Sequence, residues 1–428
     1  MIYLPIFIAF TLLFAGVPVG LALLSSAMIY FGFMTDTLPL TGLVQKMVNS
    51  NMSTSLLNIP YFIMVGTVMN YAGITKRLMK WCEALVGHLE GGLAHVNVLL
   101  STVNGGICGS SGADAAMQCK ILVPEMTKRG YPIAFAAAVT AASGLIAPMI
   151  PPGNGLILYA TMTDTSVAKM FVSGYIPGLM MCAVEMIVVA VICHRNHYQS
   201  RSTRASLREI GATTVEAMWS ILVMALLIVG LRMGLFNVTE GAVVIIVLCL
   251  FIGMCIYRDI KLSDIPKMFV EAFHSGGNIM IMLMGSLTFG FYLTWARIPQ
   301  QLTQAMLNIT DSKYGFMALA FVFMLIMGMF IDGTAMLMIM TPIFYPVAAA
   351  YGIDIIQFGI LMLINGYIGS LTPPVGGVMY IVCNLTKVPI PQFFKQVWPF
   401  IAVLIVVSVL IALFPVLSVG LPNLIYGA

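Results

Sequence analysis

In 428 residues this chain carries 60% hydrophobic side chains and only 8% charged ones, at a mean hydropathy of +1.00. A soluble domain carries about 25% charged residues, so the composition excludes a water-covered globule and reads as an all-α polytopic membrane protein. The net charge of +4 mostly reflects cytoplasmic loops and carries no signal of a nucleic-acid partner.

A bilayer core about 30 Å thick needs roughly 20 apolar residues per straight helical span. Residues 3–33 form the first candidate, interrupted at Gly16-Val-Pro-Val-Gly20 and therefore one span or two. This stretch lacks a basic n-region and a small-residue cleavage site, so it reads as membrane segment rather than signal peptide. Further candidates are 56–72, 170–193, 217–235, 241–257, 277–296, 316–330 and 394–414. Between them lie the shorter apolar pieces 94–107, 113–123, 133–150, 156–162, 335–350, 355–369 and 376–382. Such lengths predict hairpins that enter and leave on one side, or halves of broken helices. Segments 42–56, 74–88 and 262–272 are amphipathic and predict helices lying flat in the interface. The stretch 194–208 carries Arg195, Arg201, Arg204 and Arg208 with no acid, and by the positive-inside rule it is cytoplasmic. The eight scattered cysteines form no Cys-x-x-Cys pair and read as small buried hydrophobes.

The chain also repeats itself. Adding 222 to the position brings Gly106, Pro124, Gly130, Gly144, Pro151, Pro152, Gly155 and Pro177 onto Gly328, Pro346, Gly352, Gly366, Pro373, Pro374, Gly377 and Pro399 without a gap. Gly and Pro set backbone shape. Their recurrence in two apolar segments is the mark of a secondary transporter built from inverted repeats, each with a re-entrant hairpin and a broken helix. The basic stretch 194–208 is the natural linker between the copies.

In the first copy, Gly105 to Asp114 holds four glycines and two serines in ten residues, suited to a tight hairpin tip. There, backbone carbonyls and the Ser110 and Ser111 hydroxyls can face a cavity. Ala147-Pro-Met-Ile-Pro-Pro-Gly-Asn154 follows; its prolines break the helix and free carbonyl oxygens. The second copy has a tip at Gly328-Met-Phe-Ile-Asp-Gly-Thr334 and a break at 369–377, and Ser110 to Pro151 and Asp332 to Pro373 are both 41 residues apart. Freed carbonyls suit a desolvated Na⁺, and opposed helix N-termini favour a carboxylate. Asp332, at the second tip, is a candidate for binding ion or substrate, with helix capping as the alternative. Asp114 reads as a helix cap or a functional acid, and Glu185 as a proton site or a contact to a second subunit. An aspartyl-protease pair is excluded: Asp332 aligns with Ser110 and Asp114 with Met336, and neither follows Gly-x-Gly. The chain is not read as an enzyme.

The tip GSSGADAAMQCKILVPEM with APMIPP, and GMFIDGTAMLMIMTPIFYP with GSLTPPVG, resemble the large membrane (permease) subunit of tripartite ATP-independent periplasmic (TRAP) transporters. The resemblance extends over nearly the whole chain, including Ala72–Leu78. It implies an elevator-type fold, in which a mobile transport domain (93–170 and 315–393) moves against a scaffold (1–92, 171–314 and 394–428). It implies import of an organic acid, of the sialic acid or C4-dicarboxylate class, across the bacterial inner membrane, driven by two or more Na⁺. Partners implied are a small four-helix membrane subunit, a periplasmic substrate-binding protein and membrane lipid. Carried onto this chain, Na⁺ is expected around Gly109, Ser110 and Ala147, and around Gly328, Gly333, Gly369 and Thr372. Substrate is expected near Ser110, Ser111, Gly153, Asn154 and Asp332. Family members usually have Ser where this chain has Gly153, which weighs against sialic acid itself. A stand-alone Na⁺/dicarboxylate symporter of similar hairpin architecture is the alternative.

Overall fold

The computed structural model describes residues 2–35, 43–45, 47–48, 58–198 and 204–427. Most of segment 42–56, expected as an interfacial helix, and residues 199–203 of the linker lie outside these. Among the described residues every regular element is helical. The apolar N-terminus divides at Gly16–Pro18 into α1 (Leu4–Phe14) and α2 (Val19–Phe33), since Pro18 removes an amide donor and Gly16 takes φ +84°. Then come α3 (Asn58–Tyr71) and the amphipathic α4 (Ile74–Val86).

The first repeat comprises α5 (Gly92–Cys108), α6 (Ser111–Lys128), α7 (Ile133–Ser143) and α8 (Asn154–Met162), leading into α9 (Val167–Asn196). Helices α10 (Leu207–Arg232), α11 (Val238–Phe251) and α12 (Ile265–Trp295) intervene. The first two begin on side-chain caps, Ser206 for α10 and the Asn237–Glu240 capping box for α11. A short α13 (Ile298–Ile309) precedes the second repeat: α14 (Lys313–Phe330), α15 (Gly333–Ala350), α16 (Ile355–Gly369) and α17 (Gly377–Thr386). The chain closes with α18 (Ile390–Leu413) and α19 (Val416–Tyr426).

The 222-residue register holds in three dimensions. Helices α6 and α15 begin at 111 and 333 and end at 128 and 350. Gly130 and Gly352 both take positive φ, and both Pro-Pro bonds are cis. The copies exchange parts: α8 of the first packs on α15 of the second, and α17 of the second packs on α6 of the first. Tyr159 of α8 donates its hydroxyl to the Ile355 carbonyl (2.8 Å), fastening the two together. Residues 135–143 of α7 and 356–369 of α16 are buried without interruption, which is why these helices carry no polar face.

Several charged pairs gather at one end. Arg77 pairs with Asp259 (2.5 Å), Lys80 with Glu216 (3.1 Å), Arg129 with Glu83 (3.1 Å), and Glu90 lies 2.7 Å from His194. This end adjoins the arginine-rich linker and is cytoplasmic by the positive-inside rule. The chain enters the first hairpin at Gly92, beside Glu90. From the Asp259 end, α12 runs 31 residues, about 46 Å at 1.5 Å per residue, and the second hairpin starts beyond its far end. The two hairpins are therefore entered from opposite ends, as inverted repeats require.

Two expectations are corrected. Segment 262–272 is not a separate interfacial helix; residues from Ile265 onward are continuous with α12. Its amphipathic pattern reflects a helix with one face on α3 and the other on a polar cavity. The piece 335–350, expected to be too short to cross, lies in α15, whose 18 residues are by length and composition able to cross a membrane, as are those of α14, the expected span 316–330. Prolines 342 and 346 are carried inside α15 rather than ending it.

Candidate functional site

The first tip turns at Gly109, which takes φ +54° and closes α5. Ser110 is extended and starts α6 without using its hydroxyl as a cap, leaving that oxygen for another partner. The broken helix reaches the tip directly, because the Asn154 amide donates to the Gly109 carbonyl (3.2 Å). A Cβ on Gly109 would lie 3.2 Å from the Pro152 carbonyl oxygen and 3.1 Å from Asn154 Oδ1. The glycine thus leaves a cradle edged by uncharged oxygens, the donor type that a hard cation takes. In the second copy the amides of Val375 and Gly376 donate to the Met329 carbonyl (3.1 and 2.8 Å). Around Gly376 (φ +51°) the Thr372 and Ser370 carbonyl oxygens would lie 2.9 and 3.0 Å from a Cβ. Gly376 was not among the residues expected from sequence, although it falls opposite Asn154 in the repeat.

A polar cavity of about 280 Å³ opens against the first tip. One wall is formed by Gly109, Ser110, Ala113, Pro152 and Asn154, with Thr334 from the second tip. The other wall belongs to α3 and α12 and includes Thr67, Asn70, Glu271 and Ser275. The N-termini of α6 and α8 both face this space, and their unpaired amides and dipoles favour an anion there. A second, more open cleft of about 560 Å³ shares Glu271 and Ser275 and adds Tyr71, Lys267 and His274, toward the charged end of the molecule. Tyr71 donates to Glu271 Oε2 (3.1 Å) across the neck between the two spaces.

Of the residues expected at the site, Gly109, Ser110 and Asn154 line this cavity. Ser111 is buried just behind it. Gly153 presents backbone only. Asp332 is exposed and caps α15 by accepting from the Thr334 amide (2.9 Å), outside the cavity lining. Ala147 is buried, its carbonyl oxygen 2.8 Å from where a Cβ on Gly105 would stand. Gly328 and Gly369 touch each other: a Cβ on Gly369 would meet the Gly328 Cα at 2.6 Å, so these glycines let α14 and α16 cross in contact. Gly333 lies against the Tyr367 ring, and Thr372 returns its hydroxyl to the Ile368 carbonyl (3.0 Å).

The sequence reading missed one wall of the cavity and the partners of one acid it had named. The α3 and α12 wall carries no repeat to announce it; its only signal is polar residues such as Asn70 inside an apolar segment. The acid is Asp114. Its carboxylate is fully buried and accepts from Ser101 (2.7 Å), Asn104 (2.8 Å) and Gln118 (2.6 Å). Thr75 of α4 in turn donates to Asn104 (3.2 Å) and approaches Asn70 (3.4 Å), so a polar thread runs from hairpin to cavity wall.

Glu185, by contrast, is buried inside this chain, which removes the reading of it as a contact to another subunit. Neither carboxyl oxygen has a hydrogen-bond partner among the described residues. Burying an unpaired polar group is costly, so Glu185→Met is expected to raise stability by about 1–3 kcal/mol. Thermal unfolding in detergent measures this, and a lower melting temperature would show that the acid has a partner.

A search of protein families matches residues 6–417 to the DctM component of the tripartite ATP-independent periplasmic transporter. The chain belongs to that family. It is 34% identical over 416 residues to the Vibrio cholerae "Sialic acid TRAP transporter large permease protein SiaM", covering 97% of each chain. It is 34% identical to the Pseudomonas aeruginosa "C4-dicarboxylate TRAP transporter large permease protein DctM", covering 94% of this chain and 93% of that one. To the Haemophilus influenzae "Sialic acid TRAP transporter permease protein SiaT" it is 31% identical over 99% of its own length but only 68% of the relative. Among solved structures, the Alcanivorax borkumensis YdaH transporter shares the fold, with TM-score 0.65 at 14% identity over 94% of this chain and 97% of that one. The chain is thus a multi-pass TRAP large permease, a transporter component and not an enzyme.

Proposed function

We propose that this TRAP permease imports an organic acid across the bacterial inner membrane, driven by Na⁺, with its two hairpins and two broken helices moving as one body against the remaining helices. The carrying observation is the meeting of two helix N-termini with the uncharged, cation-type oxygen cradle at Gly109; Gly376 holds the matching position in the second repeat. Anion and cation sites a short distance apart make binding of each favour the other, which is the thermodynamic basis of coupling. In this reading the hairpins are re-entrant, Ser110, Ser111, Asn154 and Asp332 attend the substrate, and Ala147, Gly328, Gly333, Gly369 and Thr372 shape the ion sites. A soluble binding protein delivers the acid. A small membrane subunit is the other partner, in keeping with the tripartite family to which the chain belongs, and this favours a multi-subunit importer over a stand-alone symporter.

Purified permease melted in NaCl, KCl and choline chloride at matched ionic strength tests the ion sites. A ligand at a hundredfold excess over its Kd stabilises by about 2.7 kcal/mol. NaCl is expected to give a shift that the other salts do not, and Thr372→Ala to reduce it. Equal melting in all three salts would overturn sodium coupling.

A further inference from the structure

Among the described residues, Glu271 is the only ionisable side chain lining the cavity at the first tip. It sits on α12, across from the wall formed by Ser110, Asn154 and Thr334. Its one polar contact is the hydroxyl of Tyr71, and among the described residues no cation lies within ion-pair distance. Lys267, one helical turn earlier, has its ammonium 4.0 Å from Asp264 instead. His274, one turn later, lines only the outer cleft.

The cavity is therefore bipolar. Its hairpin wall offers helix N-termini, which attract a carboxylate, while its α12 wall offers an acceptor-only carboxylate. We propose that Glu271 selects the substrate class: an acid with a carboxylate at one end and hydroxyl groups at the other, which donate to Glu271, in preference to an unsubstituted dicarboxylate. This rests on the transport function proposed above. A second carboxylate on the substrate would face the exposed Glu271 as a like charge with no described cation between them, a penalty on the order of several-fold in affinity. A hydroxylated end meets no such penalty and satisfies the lone pairs that Tyr71 leaves open. Glu271 is exposed to the cavity, so a donor-bearing end gains charge-assisted hydrogen bonds there that an end without donors does not. The same wall accounts for the cavity's polar lining, Thr67, Asn70 and Ser275, all able to exchange hydrogen bonds with hydroxyls.

Three sodium salts separate the contributions: D-gluconate (one carboxylate, five hydroxyls), hexanoate (one carboxylate, none) and succinate (two carboxylates, none). Ligand-induced melting shifts of the purified full-length permease in saturating NaCl give their apparent affinities. Wild type is expected to bind gluconate several-fold more tightly than either of the others. Glu271→Gln is expected to weaken gluconate and strengthen succinate, each several-fold, while Tyr71→Phe, which leaves the charge in place, keeps the wild-type order. Succinate or hexanoate binding as well as gluconate in wild type, or Glu271→Gln leaving the ratios unchanged, would overturn the assignment. Loss of every acid response while the Na⁺ shift persists would sink the Glu271 proposal alone. Loss of both would sink the transport reading with it.

Discussion

Asp114→Ala is expected to cost several kcal/mol of stability, on the order of 3–5, and to abolish the Na⁺-specific melting shift. The carboxylate joins the two arms of the first hairpin. Ser101 and Asn104 stand on the entering arm α5, and Gln118 stands one turn along the leaving arm α6. Truncation removes the acceptor that Ser101, Asn104 and Gln118 share, each lost bond to the buried carboxylate costing about 1–3 kcal/mol, while Gln118 keeps its contact to Ser101. Asp114→Asn retains the shape but sets an amide NH₂ among the Asn104 and Gln118 amides, so it recovers only part of the loss. The tip between the arms carries Gly109 and Ser110, and a hairpin no longer pinned at Asp114 holds the Gly109 cradle less firmly. Melting curves with and without Na⁺ separate the two effects. An Asp114→Ala protein with wild-type stability and an intact Na⁺ shift would reduce Asp114 to a first-turn acid of α6 and nothing more.

Asp114 also marks where reading the sequence stops. An acid four residues into a helix is by default a partner for the helix N-terminus, and nothing local says that Ser101, Asn104 and Gln118 will surround it. The architecture was visible because it is written in Gly and Pro, which act on their own backbone. Gly130 and Gly352 take positive φ, and the prolines at 151–152 and 373–374 divide their helices, wherever they lie in space. Side-chain sites depend on neighbours far along the chain. Glu271 is 161 residues from Ser110 in a segment without a counterpart repeat, and its amphipathic surroundings imitate a helix lying on a membrane. The same distance effect gave Gly328 and Gly369 a second duty, since each glycine is also the contact point of two crossing helices. Glycines can be recognised as necessary from sequence; which necessity they serve is settled only by what stands opposite.

Gly153 is the sharpest instance. Relatives in this family usually place Ser after the first Pro-Pro, and its absence here looks like a lost ligand. In this chain, however, a Cβ at 153 would stand 1.9 Å from the Pro148 carbonyl oxygen, a backbone atom held in the 3₁₀ turn that spans Ala147–Met149. Its φ of −74° is open to any residue, so the constraint is space and not backbone conformation. Gly153→Ser is therefore expected to destabilise by about 1–3 kcal/mol or more, the range for forcing extra atoms into a packed interior, and Gly153→Ala by nearly as much. Equal damage from Ala and Ser identifies the Cβ as the cause. Were Ser tolerated while Ala was not, the hydroxyl would be finding partners that this backbone denies it, and the segment between Pro148 and Asn154 would have moved. In the wild-type geometry the polar contact at this point of the cavity falls to Asn154, whose Oδ1 already stands beside the Gly109 cradle. Asn154→Ala should accordingly leave the fold stable while weakening the Na⁺ shift, the reverse of the Gly153 pattern.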